Sequence, residues 1–378
     1  MIKNFILPIG LLVGTIIGAG VFSLPFIFSK VGIFVGLFYL IALSVVSFGI
    51  HLMYADIIVR TNESHHRFPG YAKIYLGEKA EWLSSLIVIT TLLLTLTVYL
   101  ILSLSFAKLI SPSFPDLLKI LIFWALGSFA IFLSVRKAAL FESITTLITI
   151  LIVLIIFGFG FFGNFHKVNF LFPANFNFLF LPFGPILFSL LGETAIPALI
   201  VYFKKENLDI YKVKKVILWG SFMPALLYLF FVLGISGLSG KISEDAVSGL
   251  IGFVSPLFLI LLGIFGFISL WDSYASIGTD IKKILEYDWG LPKFLIGLII
   301  VFAPLILYFL GLQNFLELVS LIGGILFSLW SILIIVIWGK ASRIETSEKI
   351  IGRINPLIIY GLIFILAGAI IYQIKSLL

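Results

Sequence analysis

Eleven stretches, each of about twenty predominantly apolar residues, recur along this chain, centred near Thr15, Val45, Thr95, Gly127, Val153, Leu191, Leu227, Ser269, Ile300, Leu326 and Phe364. At 1.5 Å per residue, about that length of helix crosses the hydrocarbon of a bilayer. With 61% hydrophobic and 11% charged residues among 378, and a mean hydropathy of +1.22, the chain cannot cover a soluble surface. The longest polar connections, 60–81 and 338–355, are too short for a separate soluble domain. An all-α integral membrane protein follows, with residues 1–378 forming one membrane transport domain.

Orientation is read from the basic residues, because cytoplasmic loops carry the excess of Lys and Arg. If the N-terminus is cytoplasmic, Lys30, Lys108, Lys119, Lys167, Lys241 and Lys375 fall outside, and the remaining nineteen of the 25 Lys and Arg fall inside. A multi-pass protein of the cell (plasma or inner) membrane is expected, N-terminus in and C-terminus out. The net charge of +7 is then a topology signal and a match to anionic lipid, not a nucleic-acid surface. The N-terminus imitates a signal peptide, but the apolar run continues through Phe28, so no cleavage is expected. With no cysteine there is no thiolate chemistry. The histidines, His51, His65, His66 and His166, form no metal-ligand pair on one helical face.

Two of the apolar stretches are interrupted in the middle. The first reads GLLVGTIIGAGVFSLPF from Gly10 to Phe26, and the other FGPILFSLLGETAIPALI from Phe183 to Ile200. Inside lipid a broken helix survives only where its freed backbone is buried in protein or lines a cavity. Matching breaks in two halves point to a transporter's binding site. The interrupted stretches each open a set of five spans, with the division at the 164–180 loop. An odd number of spans per set inverts the second set relative to the first, which predicts repeat one at about 5–163, repeat two at about 180–340 and an added helix at about 354–375. Glycine alone could serve close helix packing, and Gly32 and Gly36 are read that way. Gly14, Gly18 and Gly20 followed by Pro25 are too dense for packing alone and are read as an unwound segment.

Two intramembrane acids stand out, since such residues are costly in lipid. Glu193 precedes Lys204 by about 16 Å of helix and Asp272 precedes Lys282 by about 15 Å, so both reach midplane depth. Ser269, Asp272, Ser273, Ser276 and Thr279 recur at three- and four-residue steps, a polar stripe along one helix face. Hydroxyls around a carboxylate make a candidate Na⁺ site at Ser269, Asp272 and Ser273, or a proton station; the alternative is a stripe that only hydrogen-bonds neighbouring helices. Glu193 is read as a proton-exchanging acid, against a neutral acid that only stabilises the break. His51 is read as a packing residue, Asp280 as an ion pair with Lys282 and Lys283, and Asp56, Glu142 and Glu317 as interfacial. Amides near Gly18, Ala19 and Gly20 suit a carboxylate, and carbonyls near Thr15, Ile16, Leu191 and Gly192 suit an ammonium group or Na⁺. Opposed ends of that kind point to a small zwitterion, an amino acid.

At these residues the chain resembles the amino acid, polyamine and organocation transporter superfamily. GTIIGAGVFSLP (Gly14 to Pro25) resembles its first-helix motif and GETAIP (Gly192 to Pro197) its sixth-helix motif. PGYAKIYLG (Pro69 to Gly77) resembles the hydroxy/aromatic and other neutral amino acid permeases. The resemblance implies a five-plus-five inverted-repeat (LeuT-like) fold whose substrate site is lined by Thr15, Gly18, Ala19, Gly20, Gly192 and Thr194, to which Tyr99 of the third span is added as a candidate. It also implies proton coupling at Glu193, or Na⁺ coupling through Ser269, Ser273 and Ser276, with Asp272 departing from the pattern. The expected function is secondary active transport of neutral, hydrophobic or aromatic amino acids driven by H⁺ or Na⁺. No cofactor and no obligate protein partner are expected beyond substrate and lipid. The alternatives are an ion-conducting channel along the Asp272 stripe and an amino acid sensor on the same fold; no nucleophile and base pair supports an enzyme.

Overall fold

A computed structural model describes residues 2–61, 66–132, 135–162, 178–344, 348–352 and 354–377 of the chain. All regular structure among the described residues is helical. The first span is α1 (Leu7–Ile16) and α2 (Leu24–Val31), joined through a 3₁₀ turn at Ala19–Ser23 and bent by 52°. Next come α3 (Ile33–Thr61), the short connecting helix α4 (Phe68–Leu76), α5 (Glu78–Ile110), α6 (Asp116–Ile131) and α7 (Val135–Phe161). The sixth span is again split, into α8 (Phe183–Ser189) and α9 (Ala195–Lys205). It is followed by α10 (Val213–Leu238), α11 (Pro256–Tyr287), α12 (Lys293–Phe309), the pair α13 (Phe315–Leu321) and α14 (Ser328–Ala341) joined by a π-helical turn, and α15 (Pro356–Leu377).

Local chemistry sets these boundaries. Pro8, Pro25 and Pro356 sit in first turns, where a missing N–H costs nothing. Asn314 caps α13 by accepting from the Glu317 amide at 3.1 Å. Gly32, at φ +81°, closes α2. Gly32 is therefore a helix terminator, a role that its spacing with Gly36 does not reveal. Gly36 does pack, since a Cβ there would lie 2.6 Å from the Phe28 ring.

Among the described residues, seven helices pass as single membrane spans by length and apolarity, and the bent first pair makes eight. The difference from eleven apolar stretches lies in α6 with 16 residues, α12 with 17, and the split α8 and α9. Sixteen or seventeen residues is about 25 Å of helix, the short end of what a bilayer accepts. Large apolar side chains form exposed stripes, Phe34, Phe38, Ile41 and Val45 on α3 and Ile144, Leu147, Leu151 and Leu154 on α7. On a soluble monomer such patches would aggregate, and here they meet acyl chains.

Long-range contacts define the two ends of the bundle. At the end carrying the N-terminus, the Tyr202 hydroxyl donates to the Lys3 carbonyl at 3.0 Å and the Trp289 indole donates to Ser85 at 2.8 Å. Asp56 lies there too, fully buried rather than interfacial as its sequence position implies. Its carboxylate accepts from Arg60 Nε (2.7 Å), Trp338 Nε1 (2.8 Å), and the Ile350 and Ile351 amides (2.7 and 3.2 Å). This clasp ties α3 to α14 and to the segment leading into α15. At the opposite end, Ser105, Ser243, Glu244, Asp245, Gln313 and Asn314 line an open pocket of about 600 Å³. Glu317 lines a neighbouring pocket at the same end, whereas the side chain of Glu142 and residues His65 and His166 lie outside the described residues.

Candidate substrate and ion-coupling site

Both broken spans open at mid-depth and face each other. In the first, Ile17 and Gly18 leave the helix in extended conformations before the 3₁₀ turn begins. In the other, residues 190–194 are non-helical between α8 and α9. The approach is close: a Cβ on Gly20 would lie 2.5 Å from the Ser189 Cα, and one on Gly192 would lie 2.7 Å from the Ile16 side chain and 3.0 Å from His51 Nε2. Gly20 is required because backbone meets backbone there, and Gly192 because the Ile16 and His51 side chains crowd it; neither is required by a left-handed turn.

A small cavity sits between the breaks, lined by Thr15, Ile16, Gly18, Ala19, Gly20 and Leu191, with Thr95, Tyr99, Phe188 and Ile277 completing the wall. Counted as space open to a water centre it measures about 20 Å³, room for about one water. An amino acid enters only when the surrounding helices move apart. The Tyr99 ring is buried on α5, and its hydroxyl would lie 2.7 Å from a Cβ on Gly18, with the Ala19 backbone and Ser273 as polar neighbours. Gly192 packs beside this cavity; Glu193 and Thr194 line a second one, described below.

One residue that sequence reasoning missed joins the two breaks. The Tyr228 hydroxyl of α10 lies 2.8 Å from the Ile16 carbonyl and 2.7 Å from the Ser189 carbonyl, the C-terminal ends of α1 and α8. The Tyr228 hydroxyl therefore shares the Ile16 carbonyl with any ammonium group, where the unwinding alone implies a carbonyl with no partner. The Gly192 carbonyl is also engaged, by the Ala195 amide at 3.1 Å. A lone tyrosine in an apolar helix carries no signal of such a role; Thr95, Phe188 and Ile277 were missed for the same reason.

Glu193 is fully buried. One carboxyl oxygen accepts from the Gly192 amide at 3.0 Å, and the other lies 3.5 Å from His51 Nε2, too long for a formed hydrogen bond. His51 Nδ1 is 2.9 Å from the Ser221 hydroxyl. His51 is therefore the neighbour of the buried acid and not a bystander in packing, a relation between α3, α9 and α10 that periodicity does not encode.

The α11 stripe faces α7. Asp272 accepts from Thr145 at 2.5 Å, and Thr149 lies 3.2 Å from Ser269. Thr146 packs against Gly14, whose Cβ would meet its hydroxyl at 2.6 Å. The donors are all oxygen, the set that suits a hard cation, and Ser273 sits by Tyr99, between this cluster and the central cavity. Ser276 lies on α11 four residues beyond Asp272, partly buried. Asp280 pairs with Lys283 at 3.5 Å. No group of three or more His, Asp or Glu able to hold a metal occurs among the described residues.

The architecture is that of solved inverted-repeat transporters. The structure of MhsT in complex with L-phenylalanine matches at a TM-score of 0.71 with 14% identity, covering 98% of each chain. Mhp1, a nucleobase-cation-symport-1 family transporter, in a closed conformation with bromovinylhydantoin bound, matches at 0.67 with 12% identity, covering 98% of this chain and 91% of that one. The fold is thus the five-plus-five inverted repeat with an eleventh helix added. Among curated proteins none matches the sequence significantly. The sequence profile of the tryptophan/tyrosine permease family matches residues 1–375, so the chain belongs to that family and is a membrane permease rather than an enzyme.

Proposed function

We propose that this permease is a secondary active transporter of aromatic amino acids, coupled to H⁺ or Na⁺, working by alternating access around the paired breaks. The observation that carries the reading is the convergence of both broken spans on one cavity whose wall includes Tyr99 and Phe188. The family supports an aromatic substrate, as does a similarly folded protein with L-phenylalanine bound. On this reading the chain falls in the amino acid, polyamine and organocation superfamily, in the cell membrane with its N-terminus cytoplasmic. Repeats at about 5–163 and 180–340 rock around the site, and the helix at about 354–375 stands outside them. The substrate carboxylate approaches the Gly18–Gly20 backbone, and its amine approaches the Thr15 and Leu191 region. Gly192 and Thr194 hold the sixth-span side of the site.

Glu193 and the Asp272 stripe are the candidate coupling groups, with Glu193 the proton carrier and Ser269, Asp272, Ser273 and Ser276 the cation ligands; H⁺ is preferred. Uptake by purified protein in liposomes, under an imposed pH gradient or an imposed Na⁺ gradient and across a panel of amino acids, tests the whole reading. Accumulation of tryptophan or tyrosine under one gradient is expected. Gradient-independent uptake of every amino acid, or large single-channel currents without saturation, overturns it. Glu193→Gln should weaken H⁺-driven accumulation while sparing exchange, and Asp272→Asn should alter ion dependence. Wild-type behaviour of both variants returns the acids to structural roles.

A further inference from the structure

Beneath the break in the sixth span, towards the end of the bundle that carries the N-terminus, lies the second small cavity. Tyr54, Arg67, Glu193, Thr194, Asp280 and Trp330 line it, and it too measures about 20 Å³, again room for about one water. Four polar atoms of this wall are buried with no hydrogen-bond partner in the protein: Arg67 Nε, Glu193 Oε1, Thr194 Oγ1 and Trp330 Nε1. An unmet buried polar atom is expensive, and four of them on residues that line one water-sized space are what a buried water can satisfy, since such waters make about three hydrogen bonds. The set is complementary to water, with donors on Arg67 and Trp330, a hydroxyl on Thr194 and an acceptor on Glu193.

The cavity also connects unlike environments. Glu193 is fully buried, whereas the Asp280 side chain is 15% exposed and held by Lys283. We propose that the cavity holds one structural water that relays a proton between Glu193 and Asp280, giving the buried acid its route to the N-terminal end of the bundle. The inference rests on the proton-coupled reading of Glu193. In the step, the Glu193 O–H bond breaks as its proton passes to the water oxygen, and one of the water's own protons passes to the Asp280 carboxylate. Water is regenerated, Glu193 is left as carboxylate in a cavity wall that also holds Arg67, and Asp280 releases its proton to solvent. No other reactant is needed. The charged and titratable groups around the relay are His51 and Tyr54 from α3, Arg67 ahead of α4 with His66 and Asp288 beside it, and Asp280 and Lys283 from α11. Helix α1 contributes none, and α14 contributes only the neutral Trp330.

The full-length protein in liposomes tests this, with pH-gradient-driven uptake of labelled tryptophan measured beside tryptophan exchange at equal pH. Asp280→Asn and Trp330→Phe should slow pH-driven uptake, the former by about tenfold or more, while exchange stays within about twofold. A high-resolution density map of the wild type should show an ordered water within hydrogen-bond distance of Glu193 and Trp330, and this decides the matter if Asp280→Asn loses exchange as well. Unchanged pH-driven uptake in Asp280→Asn, with uptake lost in Glu193→Gln, or a map without that water, sinks the relay and leaves proton coupling standing. A wild type indifferent to the pH gradient, or pH-driven uptake surviving in Glu193→Gln, sinks the coupling reading and the relay with it.

Discussion

Replacing Tyr228 with phenylalanine isolates a hydroxyl that bridges the two broken spans. The ring is 1% exposed, so Tyr228→Phe keeps its volume and packing and removes only the oxygen. That oxygen lies 2.8 Å from the Ile16 carbonyl and 2.7 Å from the Ser189 carbonyl. One proton serves one strong bond at a time, so the loss is a single hydrogen bond plus a buried acceptor left unmet, about 1 to 3 kcal/mol. If the ends of α1 and α8 are pre-organised for substrate by this bond, that energy appears as a loss of affinity of about 5- to 150-fold. Substrate binding to the purified variant, measured by isothermal titration or scintillation proximity, gives the affinity; thermal unfolding in the same detergent gives the stability. The expected result is weaker tryptophan or tyrosine binding, with a lowered melting temperature. A variant that matches wild type in both would refute the reasoning, because it would show that these carbonyls do not depend on Tyr228.

Gly20→Ala should abolish binding, because its Cβ would lie 2.5 Å from the Ser189 Cα and the backbone cannot yield as a side-chain tip can; normal substrate affinity in a well-folded variant would contradict this. Gly18→Ala meets the Tyr99 hydroxyl at 2.7 Å, so Tyr99→Phe in the same chain should restore part of the binding lost, an interaction a double-mutant cycle measures directly. Asp56→Ala leaves the Arg60 guanidinium buried without its carboxylate, a change of about 3 to 5 kcal/mol, and should lower the melting temperature of the detergent-solubilised protein more than any substitution on the lipid-facing stripe of α7. At the opposite end, Asp116 accepts from Lys108 at 2.8 Å, and this hydrogen bond holds its carboxyl below the usual aspartate value. A folded pKa below the unfolded one contributes stability above the unfolded value and loses it as pH falls through the folded one; because the pair is exposed, a melting series through the acid range should show only a small loss, and one that Asp116→Asn removes.

Much of the candidate site was legible because its signals are local. Gly14, Gly18, Gly20 and Pro25 interrupt an apolar run, and a run so interrupted must bury its freed backbone whatever surrounds it. Gly18, Gly20 and Glu193 lie where the sequence puts them, at the two breaks and in the walls of two neighbouring cavities, whereas Gly14, read as part of the unwound segment, stays helical within α1 and packs against Thr146. The sides of those cavities were not legible. Phe188 and Ile277 read as two more apolar residues among many, and Thr95 as one more hydroxyl within an apolar helix. His51 read as packing because nothing near it in the chain is charged, yet its ring lies between Ser221 and Glu193. Asp56 read as interfacial from its place near a helix end, yet the returning chain at Ile350 and Ile351 covers it.

By itself the sequence determined that the chain lives in a membrane, where its helices run and where two of them break, since each of these depends on the contrast between apolar and polar residues within about twenty positions. Only the tertiary structure decided which helix faces which. Asp272 meets Thr145 across 127 residues, Tyr228 meets Ile16 across 212, and Asp56 meets Trp338 across 282. The reason is the solvent. In lipid every apolar face is equally content against acyl chains, so pairing between helices is settled by close packing and a few buried hydrogen bonds, and those depend on three-dimensional fit that no periodicity along one helix records.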